Sequence, residues 1–430
     1  FGQRIVVREP QKIDQRALVS WYLYDWANSA FPTVIITFVF ATYFTESVAS
    51  GKVIGTAYWG YAMSLSALAV AVAAPVFGVI ADYSGRIKHW LGFFTTFCIF
   101  SSCLLWFIEP NPQFVLLALV TVGFANFFFE MSMVFYNSMI TGLAEKGFLG
   151  RISGWGWGLG YFGGLCCLAL TLFGLVEPEN SWFGFEKETA EHIRAATLLV
   201  AFWYAIFSIP LFLYTPGRIA KNISIFNSIK RGLRDFRKIF CQLIENSNIV
   251  RFLVARMIYT DGLNTLFAFG GIYAAGSFGM ELNEILIFAI GINVTAGFGA
   301  VAFGWVDDLI GARKTLFVAL VGLTIFGLAL LIVQTKVGFW FFGLSMGIFV
   351  GPAQAASRSM MAQIAPPELI TEMFGLYALS GKATAFVGPA LLGSITAAFN
   401  SQRAGMASIL IFFAVGIFLL LHVRETNSQP

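Results

Sequence analysis

Apolar residues run through this chain in long stretches, separated by short segments in which charges, prolines and glycines collect. Twelve stretches are near or above the ~20 residues a helix needs to cross a bilayer. They lie at about 20–46, 54–81, 90–108, 113–140, 152–176, 195–214, 252–278, 284–305, 315–333, 337–360, 374–399 and 404–422. Backbone groups in lipid must find partners inside their own segment, so each stretch is expected to be an α-helix. The polar alternation of a transmembrane barrel is absent. The pattern therefore predicts an all-α membrane protein with twelve transmembrane helices.

One long polar stretch, 215–251, divides these spans into a first six (1–214) and a second six (252–430). Within it Phe226, Ile229, Leu233, Phe236 and Phe240 recur at helical spacing, with Lys230, Arg231, Arg234, Arg237 and Lys238 on the other faces. That pattern is a basic amphipathic helix suited to lying on an anionic lipid surface. The loop at 177–194 is acidic and is expected to cover the fifth and sixth spans.

The two halves repeat one another. GVIADYSGRIK begins at Gly78 and GWVDDLIGARK at Gly304, so Gly78, Asp82 and Gly85 match Gly304, Asp308 and Gly311 at a common offset of 226. Each motif follows its half's second span and ends in cations, Arg86 in one and Arg313 in the other. A second offset, 221, relates Asn137-Ser138-Met139 to Arg358-Ser359-Met360 and Gly154 to Gly375. Two pseudo-symmetric six-helix bundles follow. Each motif Asp is expected near a neighbouring helix N-terminus or an arginine, where it would hold a gate.

Composition agrees: 58% hydrophobic and 12% charged residues contrast with the quarter charged of a soluble domain. With both termini in the cytoplasm, 20 of the 27 Lys and Arg fall in cytoplasmic segments, counting Arg358 at the end of the tenth span. Five fall in external loops and two, Arg256 and Lys382, inside spans, a bias that fixes the expected orientation. The net charge of +4 then reflects topology and lipid contact rather than a nucleic-acid partner. Five cysteines in or beside spans, and three scattered histidines, give neither a disulfide framework nor metal-ligand spacing. No metal or other cofactor is expected.

Candidate chemistry lies within the spans. YDWANSAF in span one and TDGLNTLF in span seven share D-x-x-N-[ST]-x-F, with Asp25 and Asn28 matched by Asp261 and Asn264. Residues three apart share a helical face, so each half aims a carboxylate and an amide one way. A charged group at the bilayer centre costs roughly 2.5–3.5 kcal/mol on insertion scales. Asp25, Asn28, Glu130, Asn137, Asp261, Asn264, Arg358 and Lys382 are therefore expected to border one central cavity. A structural cap or a packing pair is the alternative for each. Glu130 stands among Phe127, Phe128 and Phe129, surroundings that favour an uncharged acid and make it the candidate proton carrier. The glycines of GWGWGLG, Gly154 to Gly160, read as helix-packing residues. No nucleophile elbow, phosphate loop or metal cluster occurs, which excludes the common enzyme classes.

The paired Gly-Asp-Gly-Arg turns resemble the cytoplasmic signature of the major facilitator superfamily, although Ala312 intervenes in the second copy. YDWANSAF, RISGWGWGLGYFGG and SRSMMAQIAPPE with FGLYALSGK resemble one subgroup, the "unknown major facilitator" family, whose fungal relatives are vacuolar amino-acid effluxers linked to autophagy. The resemblance implies the major facilitator fold, alternating access and amino-acid export. The partners then expected are a small solute, protons and the lipid bilayer, with the chain acting as a monomer. Compact loops suggest a bacterial inner membrane. Export of an amphiphile such as a drug, lipid or peptidoglycan fragment is the second reading. A non-transporting receptor is the third.

Overall fold

The structure, a computed structural model, describes residues 14–143, 146–177, 184–217 and 247–424. Residues 218–246 of the 215–251 connector, including its amphipathic segment and Cys241, lie outside these residues.

Twelve long helical rods make up the described chain. In the first half these are α1 (Gln15–Val48), α2 (Lys52–Ser84), α3 (Ile87–Phe107), α4 (Pro112–Leu143), α5 (Leu149–Val176) and α6 (Glu191–Tyr214). The second half has α7 (Ser247–Phe278), α8 (Leu282–Ile310), α9 (Ala312–Ile332), α10 (Lys336–Ile364), α11 (Pro367–Phe399) and α12 (Gln402–Leu421). Eleven of them are long and apolar enough to cross a membrane. The other, α7, has the length, but Arg251, Arg256 and Asp261 interrupt its apolar run. Several rods extend beyond the apolar stretch that marks them, since helical hydrogen bonding continues past the hydrocarbon edge.

Several rods depart from regular α geometry, among them α1 and α11. α1 widens into π-helical turns at Phe31–Phe38 and Phe44–Val48, the first beginning beside Pro32. α11 is broken: one helix ends at Lys382 and another begins at Val387, with turns between. Pro389 falls in the first turn of the second piece, where its missing N–H costs nothing.

Large apolar side chains such as Leu65, Leu68, Val72, Phe100, Leu116, Phe202 and Ile325 stand exposed on the outer faces, as lipid contact requires. Inside the first half, polar tips find partners in one another. Tyr24 Oη lies 2.6 Å from Thr95 Oγ1 and 2.8 Å from Tyr204 Oη, tying α1 to α3 and α6. Trp21 and Tyr136 each donate to the other's backbone carbonyl, at 3.2 and 3.1 Å. In the second half the Tyr259 and Ser357 hydroxyls meet at 2.6 Å.

The halves touch through α5 against α8 and α2 against α11. Glycines permit the approach: a Cβ on Gly154 would lie 2.4 Å from the Ala300 carbonyl oxygen, and one on Gly375 2.5 Å from that of Ala74. The α5 glycines serve two neighbours, because Gly156, Gly160 and Gly163 press instead on α1. These contacts crowd toward the face where α1 begins and α12 ends, here termed the terminal face. Toward the opposite face the halves separate, and a cavity opens between them.

Candidate functional site

The inner part of this cavity has a volume of about 480 Å³ and is bordered by Asp25, Asn28, Glu130, Asn137, Arg256, Asn264, Arg358 and Lys382, among others. An outer vestibule of about 700 Å³ continues from it, sharing Ser29, Pro32, Trp157, Phe267 and Gln354 in its lining. The vestibule walls are mainly apolar, with Phe38, Phe288, Phe339, Met346 and Val350.

At the cavity floor Arg358 of α10 reaches into the first half. Its Nη1 lies 3.0 Å from Asp25 Oδ2 and 3.2 Å from Asn137 Oδ1. Nε donates to Ser153 Oγ at 2.9 Å and Nη2 to the Ser153 carbonyl at 2.7 Å. Trp21, Tyr136 and Trp157 surround the guanidinium, with Trp21 centred 4.8 Å away. The residue is 1% exposed. Its sequence-based placement at the cytoplasmic end of the tenth span is thereby corrected, since α10 continues to Ile364. Four donated hydrogen bonds to fixed acceptors suit a planar fork better than an ammonium. Gly156 makes the room: a Cβ there would lie 2.6 Å from Asp25 Oδ2 and 2.7 Å from Arg358 Nη2.

Glu130, expected among phenylalanines, also has a cation beside it: it accepts from Lys382 Nζ at 2.7 Å, joining α4 to α11. Of its aromatic neighbours, Phe129 also borders the cavity, while Phe128 turns away to Phe97. Lys382 is the last residue before the break in α11.

Asp261 has a different station from its repeat partner Asp25. It is buried away from the cavity lining, and its Oδ2 accepts from Gly388 N at 3.1 Å. This carboxylate thus caps the second piece of α11 at its N-terminus, where backbone donors lack helical partners. Asn264, one turn on, does face the cavity.

The sequence site list omitted Arg256. Its Nη1 donates to the Tyr377 carbonyl and to Ser380 Oγ, at 2.5 and 2.7 Å, and its guanidinium lies over the Tyr377 ring at 3.4 Å. Of the three cations bordering the cavity, Arg256 is the one that no described carboxylate neutralises. Its presence inside a span was the available signal.

The repeated motifs lie at the terminal face. Gly85 ends α2 with φ 68°, and Gly311 follows α8 with φ 95°, conformations that favour glycine. Asp82 Oδ2 accepts from Glu372 N at 2.9 Å, at the start of α11. Asp308 Oδ1 accepts from Gly150 N at 2.8 Å, and its Oδ2 from Arg151 Nε at 2.5 Å, at the start of α5. Gly78 and Gly304 lie against the backbones of Glu372 and Arg151, respectively. Arg313 donates to the Val423 carbonyl at 2.6 Å, and Arg86 N to Ser84 Oγ at 3.3 Å. In the 177–194 loop, Phe185 packs on Trp106 at the end of α3.

A family model described as "Vacuole effluxer Atg22 like" matches residues 43–430. The uncharacterized MFS-type transporter YxiO of Bacillus subtilis (strain 168) is 28% identical over 421 residues, 95% of each chain. Autophagy-related protein 22 of Cryptococcus neoformans is 24% identical over 299 residues, 65% of this chain and 51% of the fungal protein. The chain therefore spans about half the length of that relative. Among solved structures, the proton:xylose symporter XylE superimposes with a TM-score of 0.74 at 12% identity, covering 96% of both chains. FucP in its outward conformation gives 0.73 at 14%, covering 96% of this chain and 99% of its own. At such identities the likeness is one of fold.

Proposed function

The chain belongs to the Atg22-like vacuole-effluxer family, within the major facilitator superfamily, and on that premise we propose that it exports a small carboxylate-bearing solute, an amino acid by the resemblance its sequence motifs carry. The observation that carries the substrate class is Arg256, a cavity cation without a carboxylate partner among the described residues. It is free to receive the solute's carboxylate, whereas Arg358 and Lys382 are already neutralised by Asp25 and Glu130. Gln354, Asn264 and Asn28 offer polar contacts beside it. With the terminal face in the cytoplasm, as the cation bias expects, the cavity faces outward, the state in which an exporter releases its cargo. The likeness to a Bacillus protein supports a bacterial cell membrane, and a cavity complete within one chain supports a monomer.

Proton coupling is read from Glu130 and Lys382. Protonating Glu130 removes the ionic attraction between α4 and α11, so one proton biases the halves' relative positions. Thermal-shift measurements on the purified protein, against amino acids and their carboxamides, test the substrate class. Free amino acids should stabilise the protein and carboxamides should not. Arg256→Gln should weaken binding about 10- to 100-fold, the worth of a charge-assisted hydrogen bond. Equal stabilisation by the carboxamides would remove Arg256 from solute recognition.

The apolar vestibule favours a second reading, an amphiphile whose body lies against Phe38, Phe288 and Phe339. Stronger stabilisation by N-acylated amino acids than by free ones would select it.

A further inference from the structure

At the terminal face the halves are joined by two seams of the same design. In one, α8 ends on the start of α5, and Asp308 accepts from the backbone of Gly150 and from the side chain of Arg151. In the other, α2 ends on the start of α11, and Asp82 accepts from the backbone of Glu372. Glu372 follows Arg151 by 221 residues, the offset that also relates Arg358 to Asn137. Arg151 thus stands at Asp308 where, in the other seam, Glu372 stands at Asp82.

The Glu372 side chain has nowhere to place a charge. The residue is 2% exposed, and its Oε2 has no hydrogen-bond partner. Asp82 is the charge that acts on it. Among the described residues, the charged groups on the elements packed against this end of α11 are Asp82 and Arg86 of α2 and its turn, Glu130 of α4, Arg251 and Arg256 of α7 and Arg358 of α10. Arg256 is bound to Tyr377 and Ser380, Arg358 to Asp25, and Glu130 to Lys382 farther along α11. Glu368, in the turn before α11, is exposed.

We propose that Glu372 is a proton-binding site, and that the proton it takes from water holds the α2–α11 seam closed. Protonation removes a buried charge on a carboxyl group whose Oε2 has no hydrogen-bond partner, and with it the repulsion from Asp82. When the seam opens, the carboxyl group meets water. The proton leaves to the solvent, and the carboxylate keeps the electron pair, now hydrated. The seam thus functions as a proton-operated latch, while the Asp308–Arg151 seam closes by a fixed ion pair. What the latch serves rests on the transporter reading, but its operation is measurable with no solute present.

The test uses the full chain in lipid nanodiscs without solute. Spin labels are attached at His89→Cys and Glu368→Cys, both exposed positions flanking the seam, with the native cysteines replaced. The ratio of closed to open populations is read from the inter-spin distance distribution between pH 5 and 9. That ratio should fall as pH rises, by up to about tenfold per pH unit, the limit for a single proton. Glu372→Gln should stay closed throughout, and Glu372→Arg, which rebuilds the other seam's pair, should do the same. A distribution insensitive to pH in the parent, a response retained in both variants, or closure driven by sodium at fixed pH would each overturn the proposal. Failure of the amino-acid reading, with no solute stabilising the protein, would leave this readout unchanged.

Discussion

Asp25 and Arg358 stand 333 residues apart in sequence and meet at 3.0 Å, one from each half of the molecule. The pair closes the cavity floor. A buried ion pair adds little over an apolar substitute, but breaking one leaves an uncompensated charge that costs roughly 3–5 kcal/mol.

Asp25→Asn should therefore destabilise the protein by about that amount, measured by thermal or chemical unfolding in detergent. Adding Arg358→Met should restore most of the loss, because the stranded charge goes with it. A double variant as unstable as the sum of its singles would show the two residues act separately.

Gly156→Ala should cost about 1–3 kcal/mol, the range for overpacking. The new methyl group would press on two groups that hold each other, Asp25 Oδ2 and Arg358 Nη2. Gly123→Ala is the control: its nearest neighbour would be 3.9 Å away, and its unfolding temperature should barely move.

In proteoliposomes, Glu130→Gln should abolish uptake driven by a pH gradient while leaving solute exchange largely intact. The amide keeps the shape of the side chain facing Lys382 but neither gains nor loses a proton. Full gradient-driven uptake in the variant, or a strict sodium requirement in the parent, would take Glu130 out of the coupling step.

For Asp261→Ala the expected loss is about 0.5–2 kcal/mol, that of a helix N-cap, together with slower transport. Its carboxylate anchors the second piece of α11 through Gly388 N. A transport rate equal to the parent's, with the same stability loss, would show that the second piece of α11 need not be held for turnover.

The fold was legible because each span announces itself by length and hydropathy, and because the halves repeat. Gly388 and Pro389 also marked the break in α11, although a continuous apolar stretch concealed it. The charged positions inside spans were equally plain, since such residues are costly in lipid. Their pairing was not, because helical spacing orders residues along one rod and says nothing of a partner hundreds of positions away. Thus it could be expected that the intramembrane charges pair, but not that Glu130 would meet Lys382 or that Arg256 would bind Tyr377 and Ser380. Glu372 fell just before the eleventh apolar stretch and drew no notice, although the offset linking it to Arg151 was present in the chain.

Both cavity ion pairs draw the carboxylate from the first half and the cation from the second. During synthesis the first six helices enter the bilayer before the last six exist. Asp25 and Glu130 must then wait in an unfinished bundle with no counter-ion from the other half. A chain arrested or truncated at that stage leaves two unmatched acids at membrane depth, a chemical mark of the half-built molecule. Only the arrival of α10 and α11 erases it.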